Sequence, residues 1–175
     1  MRSPNLGTRK PRANLPAKNR VGRGIEVKWL VGKPSAKGSG GLARLVMETP
    51  NSIGYVELAF ALQNHLHFGS IRNEAGKFIK ADLKSLSAAA ASKAASIRGE
   101  DFRVSLTNAS GESSYSVASF TWLLIPKTSV PAKHALLKGF LEWMLTNGQG
   151  FAEDLGYARL PNELIKKELA AVTKL

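Results

Sequence analysis

The sequence predicts an α/β fold, because stretches with the pattern of a β-strand are interleaved with stretches of helical periodicity and no internal repeat is present. The chain has 175 residues, of which 43% are apolar and 22% are charged. This is the composition of a globular protein, and the length suits about one domain of ordinary size. The chain contains no cysteine, which excludes disulfides, thiolate metal sites and cysteine nucleophiles.

Strands are predicted where apolar residues alternate with polar ones or form a short apolar run. Residues 25–31 are the clearest case, since Ile25, Val27 and Trp29 are spaced two apart. Residues 73–77 have the composition of a hairpin turn. The remaining predicted strands are residues 52–57, 67–71, 78–79, 102–106 and 115–125.

Helices are predicted where apolar residues recur three and four positions apart. Ser39 or Gly40 begins the first helix, and Pro50 ends it. Asp82 is the predicted N-cap of the third helix, and Asn162 is that of the last. The predicted helices are residues 39–49, 58–62, 83–94, 131–146 and 162–172.

The aromatic residues lie within these apolar patterns. Trp29, Trp122 and Trp143 each have apolar neighbours at strand or helix spacing, and residues 137–145 carry an aliphatic and aromatic stripe. We therefore predict that these side chains pack in the core rather than stack on nucleic acid bases.

Positive charge is concentrated at the N-terminus. The chain has 25 lysines and arginines against 13 acids, a net charge of +12. Residues 1–24 hold seven of the cations, three prolines and no acid, so we predict a basic, proline- and glycine-rich arm that is disordered. Such an arm can bind the phosphates of nucleic acid non-specifically, and this is the alternative function.

Signatures of catalysis and of metal binding are missing from the sequence. There is no G-x-S-x-G motif and no carboxylate pair spaced for acid–base chemistry. His65 and His67 are two residues apart, but no third ligand follows at the spacing of a zinc site. We therefore expect a protein that is not an enzyme and has no catalytic residue, metal or cofactor.

The sequence also bears on membranes and on location. No apolar run approaches the roughly 20 residues of a membrane span. The N-terminus carries cations but lacks the apolar stretch of a secretory signal. Taken alone, these observations indicate a cytoplasmic protein with no membrane span.

One glycine-rich loop is a candidate anion site. Residues 37–41 lead into the first predicted helix, where Ser39, Gly40 and Gly41 present backbone N–H groups at the positive end of the helix dipole. The loop is not a Walker A motif, because it lacks the G-x-x-x-x-G-K-[ST] spacing. A plain turn with an N-cap is the structural alternative.

Seven short motifs follow one another in a fixed order. They are VKW with VG at 27–32, GSGG at 38–41, SIGYVE at 52–57, LTN with Gly111 and Tyr115 at 106–115, TW at 121–122, FLEW at 140–143, and AEDLGY with LP at 152–161. This order resembles the second half of the periplasmic phosphate-binding protein of ABC transporters, the PstS family.

The resemblance implies a two-lobe periplasmic-binding-protein fold (type II), in which two α/β lobes close on one phosphate. It implies that residues 25–101 are the remainder of the second lobe, that residues 102–106 are a crossover strand and that residues 107–175 are the C-terminal part of the first lobe. Most of the N-terminal lobe is then missing, so the expected fold is incomplete.

The resemblance also implies phosphate contacts in the arm. A ligand motif of the family, Arg-Ser-Asp-Gly-Ser-Gly-Thr, aligns with residues 2–8 and keeps Arg2, Ser3, Gly7 and Thr8. Arg2 would be the charge partner of phosphate, and Gly7 and Thr8 would donate hydrogen bonds. Pro4 stands where the family has its aspartate. We therefore expect a truncated, divergent or frame-shifted member that binds phosphate weakly or not at all.

The predicted function is that of the phosphate-binding subunit of an ABC-type phosphate import system. The partners that the resemblance implies are inorganic phosphate, a membrane permease and its ATPase, and the implied location is the periplasm. Nucleic acid is a less favoured partner, because no aromatic residues are interleaved with the basic arm.

Overall fold

A computed structural model describes residues 36–98, 101–126 and 131–175, with no side-chain detail at 131–132. The chain divides into two units, residues 1–54 and 55–175. The described residues form helices and one two-stranded sheet, so the predicted mixture of helix and strand is confirmed. The predicted arm at residues 1–24 and the strand at 25–31 lie outside the described residues.

In the first unit, helix α1 spans Gly38–Glu48, as the periodicity predicted. The chain then turns back onto this helix. A Cβ added at Gly54 would lie only 2.8 Å from Cγ2 of Val46, so the return is possible because residue 54 has no side chain. Ala43 is buried on the inner face of the helix, where it places only a small side chain.

The short buried strand predicted at residues 52–57 is wrong. The structure has no strand there, and Ile53 is 95% exposed and Tyr55 78% exposed. A strand needs a neighbour to accept its backbone hydrogen bonds, and the only strand pair among the described residues is elsewhere in the chain.

The second unit begins with helix α2 at Leu58–Gln63 and the predicted hairpin. Strand β1 at Ser70–Arg72 pairs antiparallel with strand β2 at Phe78–Lys80, with Ile71 opposite Ile79. The hairpin is confirmed, although β1 starts three residues later than the predicted strand at 67–71.

Helix α3 at Leu83–Ala94 has the predicted N-cap. The backbone N–H of Ser85 donates to Oδ1 of Asp82 at 2.6 Å, and the backbone N–H of Asp82 donates to Oγ of Ser85 at 3.1 Å. This reciprocal capping box satisfies two donors that the helix itself leaves unpaired. At the other end, Nζ of Lys167 donates to the carbonyl oxygen of Ala94 at 2.8 Å, a favourable place for a cation.

Helix α4 at Pro131–Leu145, a 3-10 helix at Asn147–Phe151 and helix α5 at Asn162–Val172 complete the second unit. Both long helices confirm the predicted periodicity. The N-cap of α5 is Pro161, without a side-chain hydrogen bond, so the predicted cap at Asn162 is wrong by one position. The core cluster of α4 and α5 consists of Leu141, Leu145 and Val172, with Ile125, Leu137, Met144, Leu160, Ile165 and Leu169 packed against it.

The aromatic side chains are less buried than the sequence predicted. Trp122 is 45% exposed and Trp143 is 48% exposed, while Trp29 lies outside the described residues. On α4, Leu141 and Leu145 occupy the inner face. Trp143 is two residues from each of them and therefore points to another side of the helix, because successive side chains are about 100° apart.

The two strands predicted at residues 102–106 and 115–125 are also wrong. Residues 101–126 contain turns and bends but no strand. Both segments have the residues of a strand, but no described strand pairs with either. The division into lobes at 25–101, 102–106 and 107–175 stays a prediction.

Candidate functional site

The predicted anion-binding residues form the first turn of α1. Helix α1 begins at Gly38, so Ser39, Gly40 and Gly41 follow directly. The N-cap is Lys37, whose side chain makes no capping hydrogen bond, and the first turn contains no acid. The first N–H groups of a helix have no acceptor within it. These donors and the positive end of the helix dipole are therefore available to an anion.

This turn is open to solvent. Gly38 has φ +72°, a backbone conformation that favours glycine, and a Cβ added there would meet no heavy atom of the described residues within 4 Å. Lys37, Gly38 and Gly40 are exposed, whereas Ser39 is half-buried. A small ion can therefore reach the backbone donors directly from solvent.

The arm residues that the resemblance assigns to phosphate, Arg2, Gly7 and Thr8, lie outside the described residues. Their roles, and the anion-binding role of the α1 turn, stay predictions.

The described residues also bear on metals and membranes. His65 and His67 precede β1 and are exposed, so they do not share the face of a strand. In the part of the chain that the structure describes, no three histidines, cysteines or acids are grouped to hold a metal ion. No described helix combines the length and hydropathy needed to cross a bilayer.

A second feature, an open apolar groove, was not predicted. One wall is residues 101–107, the other is residues 118–119 and 122–124, and the volume is about 990 Å³. Nε1 of Trp122 donates to the carbonyl oxygen of Phe102 at 3.3 Å and links the walls. The signal in the sequence was the strand-like pattern of residues 102–106 and 115–125, which predicted two strands and not the walls of a groove.

One ion pair lies at the end of this groove. Nε and Nη2 of Arg103 donate to the two carboxylate oxygens of Asp101 at 2.9 and 2.8 Å. These hydrogen bonds hold the pKa of Asp101 at about 2, below its ordinary value of 3.8. Both charges are therefore paired with each other, and the other described residues of the groove lining are uncharged.

A buried polar cluster forms where one family motif lies. Nδ2 of Asn73 donates to the carbonyl oxygens of Gly111 at 3.1 Å, Glu112 at 2.9 Å and Ser114 at 3.1 Å. Oγ of Ser116 donates to the carbonyl oxygen of Arg72 at 3.2 Å. The motif residues 106–115 thus form a loop fastened to the hairpin. Sequence reasoning recognised Asn73 as a turn residue but missed its contacts.

Another family motif, at residues 152–157, ends in a close contact. Gly156 has φ +79°, and a Cβ added there would lie 2.9 Å from Cβ of Ala59 and 3.1 Å from its Cα. The loop therefore packs directly on α2. The glycine of this motif is thus explained by close packing of the loop on α2, and both lie in the second unit.

The chain is similar to several proteins named phosphate-binding protein PstS. It is 38% identical to that of Xylella fastidiosa (strain Temecula1) over 151 residues, which are 86% of this chain and 41% of that protein. It is 38% identical to that of Haemophilus influenzae over 149 residues, 85% of this chain and 44% of that protein. It is 34% identical to that of Methanocaldococcus jannaschii over 173 residues, 89% of this chain and 44% of that protein.

The chain therefore spans less than half the length of these relatives, which is consistent with a C-terminal half. No family model matches it. The predicted resemblance is confirmed: over most of its length, this chain is a homologue of the phosphate-binding protein PstS.

Proposed function

We propose that this chain is part of the phosphate-binding subunit of an ABC-type phosphate import system, and that it acts in the periplasm without catalysing a reaction. The observation that carries this proposal is the 38% identity over 151 residues to a protein named for phosphate binding. Its proposed partners are inorganic phosphate, a membrane permease and the ATPase that drives it.

Phosphate recognition requires fixed donors in place of water. Backbone N–H groups at a helix N-terminus and a guanidinium suit an oxyanion. In this proposal the first turn of α1 supplies backbone donors through Ser39, Gly40 and Gly41. Arg2, Gly7 and Thr8 are the proposed contacts from the N-terminal residues.

We further propose that the chain alone binds phosphate weakly. A complete receptor surrounds the dianion with many donors, while the contacts proposed above are few. Only the surplus of contact energy over the cost of ordering and desolvating the binding groups appears as affinity, so a site with few donors is expected to bind weakly. The departures from the family motif at residues 4–6 support a divergent member.

Titration calorimetry with inorganic phosphate, with and without competing sulfate, tests the α1 contact through a pair of variants. Ser39→Asp places a carboxylate in the first turn, where it stabilises the helix by about 0.3–1 kcal/mol but repels phosphate. We expect affinity to fall about tenfold while the melting temperature does not fall. The control, Ser113→Asp, makes the same charge change on an exposed loop residue.

Each result has a definite meaning. No phosphate binding at millimolar concentration contradicts a direct role for this chain in phosphate recognition. Equal weakening by Ser39→Asp and Ser113→Asp contradicts the α1 contact, because only overall charge then matters. A submicromolar isotherm that Arg2→Ala abolishes contradicts the proposed weak binding.

The nucleic acid alternative gains no support here. The arm on which it depends lies outside the described residues, and the relatives are named for phosphate binding.

A further inference from the structure

One face of the β-hairpin combines cations with an aromatic ring. In the register of β1 and β2, Arg72 lies opposite Phe78 and Ser70 lies opposite Lys80. Side chains alternate between the two faces of a strand, so these four side chains share one face, which we call the basic hairpin face. The paired isoleucines of the two strands lie on the other face.

The basic hairpin face is open to solvent. All four of its residues are exposed, and Phe78 is 73% exposed. Nζ of Lys80 also lies 4.7 Å from the ring centroid of Phe68, which is a cation–π contact. The face therefore presents an aromatic ring and cations to the same partner.

The two cations of this face have no carboxylate partner in the described part of the chain, where the ion pairs join other residues. The guanidinium of Arg72 carries five N–H donors, and among the described residues it donates from Nε to the carbonyl oxygen of Gly76 at 3.4 Å. The acid nearest in sequence, Glu74 in the turn, forms no ion pair with Arg72 or Lys80. The face therefore complements a negatively charged partner.

An anionic lipid bilayer matches these features. Lysine and arginine attract anionic headgroups, and an aromatic ring on the same surface is buried at the boundary between headgroups and acyl chains. The face belongs to two strands of three residues each, so its area is small against the roughly 800 Å² that each partner buries in a standard protein–protein interface. A bilayer needs no complementary shape and can therefore bind a small, flat face.

Nucleic acid is the other polyanion that a basic and aromatic face can bind. It is less favoured than lipid, because the proposed function places this chain in the periplasm beside a membrane permease.

We propose that the basic hairpin face docks this protein on anionic phospholipid at the membrane surface. Arg72 and Lys80 contact the headgroups, and the Phe78 ring inserts between them. The choice of lipid over nucleic acid rests on the proposed function, whereas the docking itself does not depend on phosphate binding.

Vesicle co-sedimentation of the full chain, in buffer without free phosphate, tests the charge of this face. We expect the chain to bind vesicles that contain phosphatidylglycerol, to bind vesicles of phosphatidylcholine alone much more weakly, and to lose affinity as NaCl screens the charges. Lys80→Glu should weaken binding to phosphatidylglycerol vesicles about tenfold. The control, Lys166→Glu, makes the same charge change at an exposed residue of α5 and should weaken binding less than about threefold.

A second pair of variants tests the ring. Phe78→Ala should weaken binding about fivefold, while Phe78→Tyr, which keeps a ring, should retain it. Circular dichroism should stay native, because the Phe78 side chain is already 73% exposed. Leu136→Ala, at a residue on α4 that is 76% exposed, is the apolar control and should leave binding unchanged. The seven cations of residues 1–24 are present in every variant, so their contribution to binding is the same throughout.

Four outcomes would overturn the inference. The first is no binding to phosphatidylglycerol vesicles, and the second is equal weakening by Lys80→Glu and Lys166→Glu, which would mean that only overall charge matters. The third is unchanged binding by Phe78→Ala. The fourth is binding of a single-stranded oligonucleotide that Lys80→Glu and Phe78→Ala weaken while vesicle binding stays the same, which would make nucleic acid the partner. Because the assay contains no free phosphate, failure of phosphate binding leaves its result unaffected.

Discussion

The side-chain amide of Asn73 donates a hydrogen bond to the carbonyl oxygen of Ser114, 41 residues later, at 3.1 Å. Both residues are buried. The amide oxygen of the same side chain stabilises the hairpin turn, because Oδ1 of Asn73 accepts from the backbone N–H of Lys77 at 2.9 Å. One side chain thus forms hydrogen bonds with backbone groups of two segments that are distant in sequence.

Asn73→Ala should therefore destabilise the protein strongly. It leaves the carbonyl oxygens of Glu112 and Ser114 and the backbone N–H of Lys77 without their side-chain partner. The carbonyl oxygen of Gly111 still accepts from the backbone N–H of Ser114. A buried group left unsatisfied costs about 1–3 kcal/mol. Allowing for water entry, we expect the free energy of unfolding to fall by about 3 kcal/mol, measured by urea denaturation.

The matched control for that variant is Asn64→Ala. Nδ2 of Asn64 also donates to a backbone carbonyl, that of Phe60 at 2.9 Å, but the residue is exposed. The loss should be below about 1 kcal/mol. Equal losses in the two variants would show that burial of the Asn73 cluster is not what makes it stabilising.

Comparing Gly156→Ala with Gly76→Ala should distinguish the stability cost of a steric clash from that of backbone strain. Both glycines have φ +79°, so both variants carry the same left-handed penalty of about 1 kcal/mol. The added Cβ at residue 156 would lie 2.9 Å from Cβ of Ala59, whereas at residue 76 it would lie 3.2 Å from the flexible Nη2 of Arg72. We expect Gly156→Ala to cost about 1–3 kcal/mol more. Similar melting temperatures for the two variants would contradict the close packing of this loop on α2.

Glu168→Gln should stabilise the protein at neutral pH. Burial raises the pKa of the Glu168 carboxyl above its ordinary value of 4.5. The folded state then holds its proton more tightly than the unfolded state, so stability is fully present below about pH 4.5 and is lost as the pH rises through the folded pKa. The amide has no charge to desolvate, so the variant should melt higher at pH 7 and show a flatter profile above pH 4.5.

Glu74→Gln, at an exposed residue, is the control for that substitution. It removes the same charge without removing a burial penalty, so thermal melts from pH 4 to pH 7 should run parallel to those of the native chain. A lower melting temperature for Glu168→Gln at pH 7 would indicate that the carboxylate is stabilised in the folded state, contrary to the effect of burial.

Local patterns predicted those elements whose stabilising contacts are themselves local. The capping box of α3 joins Asp82 to Ser85, three residues apart, and the hairpin closes through Asn73 and Lys77, four residues apart. The same patterns failed at residues 52–57, 102–106 and 115–125, where the residue types suit a strand but no described strand is paired with them. Pairing depends on a partner elsewhere, which residue type alone does not specify.

The same distinction applies to the candidate functional features: the one formed within a single stretch of sequence was predicted, and those formed by distant segments were not. The glycine-rich start of α1 was predicted because residues 38–41 carry the signal within one turn. The groove and the Asn73 cluster were not predicted, since both need segments 20 to 41 residues apart to meet.

The amino-acid sequence by itself determined the helices, the hairpin and the kinship with PstS, because each depends on neighbouring residues or on their order. Only the tertiary structure decided which strand-like segments pair with no described strand, which aromatic rings face solvent and which carbonyl groups accept from the Asn73 amide. Those outcomes depend on the contacts that distant segments make, and burial and hydrogen bonding are settled only when such segments meet.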